Sequence, residues 1–201
     1  MLEGGAPAGP TLLAMHGMPL SAAIFRPHLE YAMRRGVRLV SYDRPGYYPS
    51  TARPGRRVGD CEVEVQAVID ALGVDRFGVW GWSAGGPLAI GVAARAPSHV
   101  AAVALIGTVA PPDSPGLDWF GELGKLNAVE FRAAQLGGTA LSRFLAPLRR
   151  ELIGARLADV RSAWRSILSG VDGMTLSGEF GDFFCHGLKE GLRRSIAGWR
   201  D

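Results

Sequence analysis

The stretch Phe77-Gly78-Val79-Trp80-Gly81-Trp82-Ser83-Ala84-Gly85-Gly86 constrains this chain more than any other. An apolar run of strand length leads into a G-x-S-x-G pattern, and the helix-compatible residues 87–95 follow at once. Strand, sharp turn and helix in that order raise the serine to the tip of the turn, as a nucleophile elbow does. A turn that tight needs near-absent side chains two residues either side, which Gly81 and Gly85 supply. The helix N-terminus behind Ser83 offers free N–H groups and a positive dipole end to an oxyanion.

Around this element the chain alternates strand and helix signals. Residues 1–10 are rich in glycine, alanine and proline without alternation and read as a flexible lead-in. Thr11-Leu12-Leu13-Ala14-Met15 reads as a buried parallel strand that runs into His16-Gly17-Met18-Pro19. A helix with Phe25, Leu29, Ala32 and Met33 on one face closes at Gly36. Arg38-Leu39-Val40-Ser41-Tyr42 is a second strand, broken by Asp43-Arg44-Pro45-Gly46. A helix carrying Cys61, Val65, Val68 and Leu72 stops at Gly73. After the elbow, Val100-Ala101-Ala102-Val103-Ala104-Leu105-Ile106 is a fourth strand. Such alternation implies a parallel sheet with right-handed crossovers, an α/β fold.

The texture changes after Pro111-Pro112-Asp113-Ser114-Pro115-Gly116. Asn127 and Glu130 resemble a capping box ahead of Phe131. Three helical stripes follow: Leu141, Phe144, Leu145, Leu148 and Leu152, with Pro147 kinking or restarting that helix; Val160, Trp164, Ile167 and Leu168; and Phe180, Phe184, Leu188 and Leu192. They read as packing faces of a helical lid over the carboxyl edge of the sheet.

Composition excludes several classes. Hydrophobic residues make up 47% and charged residues 20%, as in ordinary globular proteins. The net charge of +3 is spread over scattered arginine pairs, so no nucleic-acid partner is expected. The cysteines Cys61 and Cys185 have neither disulfide-framework nor metal-ligand spacing. The first residues lack a secretory pattern, and the apolar runs are too short and glycine-broken to span a bilayer. A cytoplasmic protein without a membrane partner is the expectation.

His16-Gly17-Met18-Pro19, Asp43-Arg44-Pro45-Gly46-Tyr47 and Gly81-Trp82-Ser83-Ala84-Gly85-Gly86, in this order, resemble the α/β-hydrolase superfamily, in its serine-nucleophile, lidded esterase, lipase or peptidase-like branch. The likeness covers nearly the whole chain. It implies an α/β-hydrolase core over residues 1–110, incomplete with about four strands, a linker at 111–116 and a helical cap over 117–201. The two short antiparallel strands with which that family starts are not evident before Thr11. Ser83 would be the nucleophile, and the backbone N–H groups of Met18 and Ala84 the oxyanion donors. Gly17 and Trp82 would line the pocket, although core packing explains Trp82 equally well. His16 would shape its loop and Asp43 pin its own turn. The implied reaction is ester or amide hydrolysis through an acyl-enzyme on a small-molecule acyl substrate, with no cofactor or metal.

The family pattern also asks for an acid and a histidine from strands after the lid, and none follows here. The chain reads as a truncated form, inactive by itself; a non-catalytic small-ligand-binding remnant is the alternative. His99 belongs at the opposite end of the sheet from the elbow and His28 on a solvated helix face. His186 sits on the last lid helix, where it could face the cleft, although a surface or lid-packing position is the expectation. The strand 100–106 should then be an open apolar edge.

Overall fold

Strands β2 (Thr11–Met15) and β4 (Phe77–Trp82) lie side by side at the centre of the sheet, in parallel register from Thr11 opposite Phe77 to Met15 opposite Gly81. Their side chains are almost all apolar, which suits strands covered on both faces. The structure is a computed structural model that describes residues 1–168 and 170–200, with 166 and 167 by backbone alone. The strand order is β1-β3-β2-β4-β5, with β1 spanning Leu2–Gly5, β3 Arg38–Ser41 and β5 Val100–Ile106. All pairings are parallel except β1–β3.

The period of two along each strand sorts side chains between two layers. Leu13, Met15, Val40, Phe77 and Val79 face α2 (Cys61–Leu72) and α3 (Gly85–Arg95), where Val65, Ile69, Leu88 and Val92 complete a buried core. On the other face, Leu12, Ala14 and Leu39 pack against Leu29 and Ala32 of α1 (Arg26–Arg34). Met33, expected on the packing face, is exposed instead, because Ala32 takes the position over the sheet.

The first residues correct the sequence reading. They are not a loose lead-in: β1 (Leu2–Gly5) pairs antiparallel with β3, Leu2 opposite Ser41 and Gly5 opposite Arg38. The sheet therefore has five strands rather than about four. The glycines that hide the strand signal are what let it fit, since a Cβ on Gly4 would fall 2.8 Å from the Leu29 side chain and one on Gly5 would strike the Val37 carbonyl. An ion pair of 2.6 Å joins Glu3 to Arg38 across the two strands.

Beyond residue 116 the described chain is helical: α4 (Lys125–Gln135), α5 (Gly138–Gly154), α6 (Leu157–Ile167), α7 (Gly170–Thr175), α8 (Glu179–Gly191) and α9 (Ala197–Arg200). Most of the stripe residues pack as expected, with Leu145, Leu188 and Leu192 fully buried, but Leu168 lies past the end of α6 and is exposed; the Ile167 side chain lies outside the described ones. The capping box and a restart of the helix at Pro147 are not found. Helix α4 starts at Lys125 after Gly124, so Asn127 and Glu130 stand inside it rather than forming a capping box. Helix α5 runs unbroken through Pro147, held over its length by the buried Leu141 and Leu145. Leu20 and Trp82 join the cluster of Val160, Leu176, Phe184 and Leu188, so the helical segment packs on the elbow side of the sheet. No described helix is long and apolar enough to cross a membrane.

Strand β5 is an outer strand, and residues Ala101–Ile106 are all exposed. Its apolar run carries none of the charges that blunt natural sheet edges. The isolated 201-residue chain is expected to self-associate through this edge. Light scattering should give a mass above the 21.4 kDa of one chain, and the double variant Val103→Lys, Leu105→Lys should shift it toward the monomer. A monodisperse wild-type monomer with a cooperative melt would contradict this.

Candidate active site

Ser83 sits at the carboxyl end of β4 with φ of 52°, the one non-glycine residue with positive φ among those described. A serine avoids that region because its Cβ crowds the following carbonyl, so its surroundings must hold it there. The Ser83 N–H donates to the Ile106 carbonyl at 2.9 Å. The Ser83 carbonyl accepts from the Gly86 N–H at 2.9 Å and from Thr108 Oγ1 at 3.0 Å. Glycines allow the approach: a Cβ on Gly81 would meet Gly86 Cα at 2.5 Å, and one on Gly85 would strike the Met15 carbonyl. Gly86 similarly leaves room for Thr108, a residue the sequence reading missed. Its only signal is its place just past the end of β5.

The loop after β2 abuts this turn. A Cβ on Gly17 would lie 3.2 Å from Ser83 Cβ and 3.3 Å from the Trp82 carbonyl, so Gly17 and the following Met18 stand against the serine. Ala84 is the N-cap of α3. Among the described residues, neither the Met18 N–H nor the Ala84 N–H has a hydrogen-bond partner, and the Ser83 hydroxyl has none.

Gly17, Met18, Trp82, Ser83 and Ala84, the residues singled out from the sequence, all line one cavity of about 1170 Å³ between the sheet and the helical segment. Aromatic rings form one part of its wall. Trp82 lies 6.1 Å from Phe180 and 6.2 Å from Phe184, ring centroid to centroid, and Trp164 meets Phe184 edge-on at 5.2 Å. Trp82 thus serves both readings, packing against the helices and facing the cavity.

A sequence model of the alpha/beta hydrolase fold matches residues 10–159. The chain belongs to this family. Among curated relatives it is 28% identical over 135 residues to a putative non-heme haloperoxidase of Mycobacterium phage D29, a match covering 67% of this chain and 48% of the relative. It is 37% identical over 93 residues to a pimeloyl-(acyl-carrier protein) methyl ester esterase of a Shewanella species, covering 46% of this chain and 32% of the relative. Among solved structures, a bromoperoxidase from Bacillus anthracis superposes with a TM-score of 0.62 at 19% identity, over 99% of this chain and 66% of that one. The chain therefore spans about half or less of the curated relatives it matches.

In this α/β-hydrolase the histidines are disposed as the sequence suggests. His16 is buried beside the elbow, but its Nδ1–H is committed to the Gly17 carbonyl at 2.9 Å and its Nε2 accepts from Arg44 Nε at 3.3 Å. It shapes the loop. His99 binds the Asp75 carbonyl at the far end of the sheet, and His28 and His186 are exposed. None lines the cavity among the described residues. Asp43 differs from expectation: its carboxylate reaches the neighbouring loop and accepts from the Ala22 N–H at 2.8 Å. The turn itself comes from the Tyr47 N–H donating to the Arg44 carbonyl at 3.0 Å.

Two tests follow from this geometry. Ser83→Gly should be more stable than Ser83→Ala by about 1 kcal/mol in urea melts, because only glycine is free of strain at positive φ; equal stability would mean the turn relaxes. Burial, and then the Arg44 guanidinium, hold the His16 pKa well below the ordinary 6.5, with Arg56 adding and the Gly17 hydrogen bond opposing. Below 6.5 the unfolded chain takes up a proton that the fold refuses, so stability should be fully present above 6.5 and fall as pH drops beneath it. His16→Asn should flatten that decline. Glu130, raised by burial, acts with opposite sign, costing stability as pH rises through the region above 4.5.

Proposed function

We propose that this chain carries the nucleophile of a serine hydrolase, which cleaves small-molecule esters, amides or related acyl compounds through an acyl-enzyme on Ser83. The observation that carries the reading is the positive φ of Ser83 at a strand-to-helix turn, a costly conformation that raises its hydroxyl into the cavity mouth. The unpartnered N–H groups of Met18 and Ala84 support their role as oxyanion donors. Helices α4–α9 would act as the cap, with Trp82, Phe180 and Phe184 receiving the apolar part of the substrate. No organic cofactor or metal is required by this chemistry. The esterase among the relatives agrees with an ester substrate. A serine at the elbow argues against an aspartate-nucleophile reaction, whereas haloperoxidase, peptidase and carbon–carbon hydrolase chemistry share it.

The chain by itself should be a weak catalyst. A serine hydroxyl needs a base, and no histidine lines the cavity among the described residues. Loss of a triad member leaves about 10³ to 10⁴-fold acceleration over water from binding and the oxyanion hole. The same absence favours a second reading, a small-ligand-binding module without turnover.

Labelling by a fluorophosphonate probe, mapped by mass spectrometry, separates the two. Ser83 should label slowly, and added imidazole, as a diffusible base, should accelerate labelling at least about tenfold. Ser83→Ala should abolish it. Labelling that imidazole does not move would support the binding module, and rapid Ser83-dependent ester turnover without imidazole would overturn the weak activity.

A further inference from the structure

The peptide that joins Ser83 to Ala84 is held at one end and open at the other. Its carbonyl oxygen accepts from Thr108 Oγ1 at 3.0 Å and from the Gly86 N–H at 2.9 Å. Its nitrogen is that of Ala84, whose N–H has no partner among the described residues. This peptide is trans. A trans peptide is planar, with C=O and N–H pointing opposite ways, so whatever holds the oxygen also aims the N–H.

The two donors differ in what carries them. Gly86 belongs to α3, the helix that the elbow itself begins, and its N–H moves with the turn. Thr108 stands past the end of β5, on a separate strand, and among the described residues no other side chain reaches this carbonyl. The second glycine after the serine makes room for it, since a Cβ on Gly86 would strike the Thr108 hydroxyl and Cβ. The bond works against a strained backbone: Ser83 holds φ of 52°, and rotation of its peptide would relieve that strain. Gly107 and Val109 on either side line the cavity together with Ser83 and Ala84, and Thr108 stands behind that wall.

We infer that Thr108 is a positioning residue for the oxyanion site: by fixing the Ser83 carbonyl, its hydroxyl aims the Ala84 N–H at the oxygen on which negative charge develops, and keeps Ser83 in its left-handed conformation. It touches no substrate and takes no part in proton transfer. The inference rests on the serine-hydrolase reading for the reaction, and on the geometry of one peptide for the residue.

Fluorophosphonate labelling of Ser83 with imidazole present, together with NMR of the isotope-labelled chain, tests it. Thr108→Val, close in shape but without the hydroxyl, should label at least about tenfold more slowly at saturating probe, with the half-saturating concentration unchanged, because an oxyanion donor acts on the transition state. Thr108→Ser, which keeps the donor, should recover most of the rate. Gly86→Ala should slow labelling as Thr108→Val does, by pushing the hydroxyl aside, and decides where Thr108→Val does not fold. Rates are read well below the melting temperature of each variant, so that lost stability does not register. In the spectra, the Ser83 Cα and Cβ and the Ala84 amide signals should move in Thr108→Val and return in Thr108→Ser. Absence of Ser83 labelling in the wild type would sink the hydrolase reading, while the Ser83 and Ala84 signals would still decide on Thr108. Labelling of Thr108→Val at the wild-type rate, equal slowing in Thr108→Ser, or Ser83 and Ala84 signals that ignore the lost hydroxyl would each overturn the inference.

Discussion

The backbone-to-backbone approach at residues 81–86 is the constraint on which the rest of the site depends. A serine in the left-handed region costs of order 1–3 kcal/mol and persists only when its surroundings over-determine it. Here three hydrogen bonds from Ile106, Gly86 and Thr108 fix both ends of its peptide, and the glycines remove the side chains that would push β4 and α3 apart. The same closeness brings the carbonyl end of β2 against α3 at Gly85, so Gly17 and Met18 arrive beside the serine as a result of sheet packing.

A second level of organisation ties the loops at this end of the sheet together. His16, Arg44 and Tyr47 come from two loops that follow neighbouring strands, and they interlock by a hydrogen bond, an edge-on ring contact of 4.8 Å and a cation over a ring. The arrangement works only with His16 neutral, because its Nε2 must accept from a guanidinium. Burial and the adjacent charge enforce that state. The result is an interlocked floor beneath one end of the cavity. Helix α9 closes over this floor, Gly198 resting on the Tyr47 ring and Trp199 bonding Glu130 of α4.

The two edges of the sheet contrast. At one edge β1 is short, glycine-rich and ion-paired to its neighbour. At the other, β5 supplies the Ile106 carbonyl that holds Ser83 while its own faces stay exposed. The elbow therefore leans on the least protected strand, which links the integrity of the site to whatever covers that edge.

The elbow, the central strands and the helical texture after residue 116 were legible in the sequence because each is written locally, in glycine spacing, apolar runs and a period near 3.6. Ser83, Gly17, Met18, Trp82 and Ala84 meet in one cavity, as their places at strand ends imply. Strand β1 was not legible, since its pairing comes from backbone groups of β3 and from glycines that carry no alternation. Nor were Thr108 behind the elbow, the Glu130–Trp199 bond or the contact of Arg44 with His16. Those depend on which side chains distant segments bring together and which acceptors they have already taken. A sequence lists donors and acceptors; only the packed chain decides which of them meet.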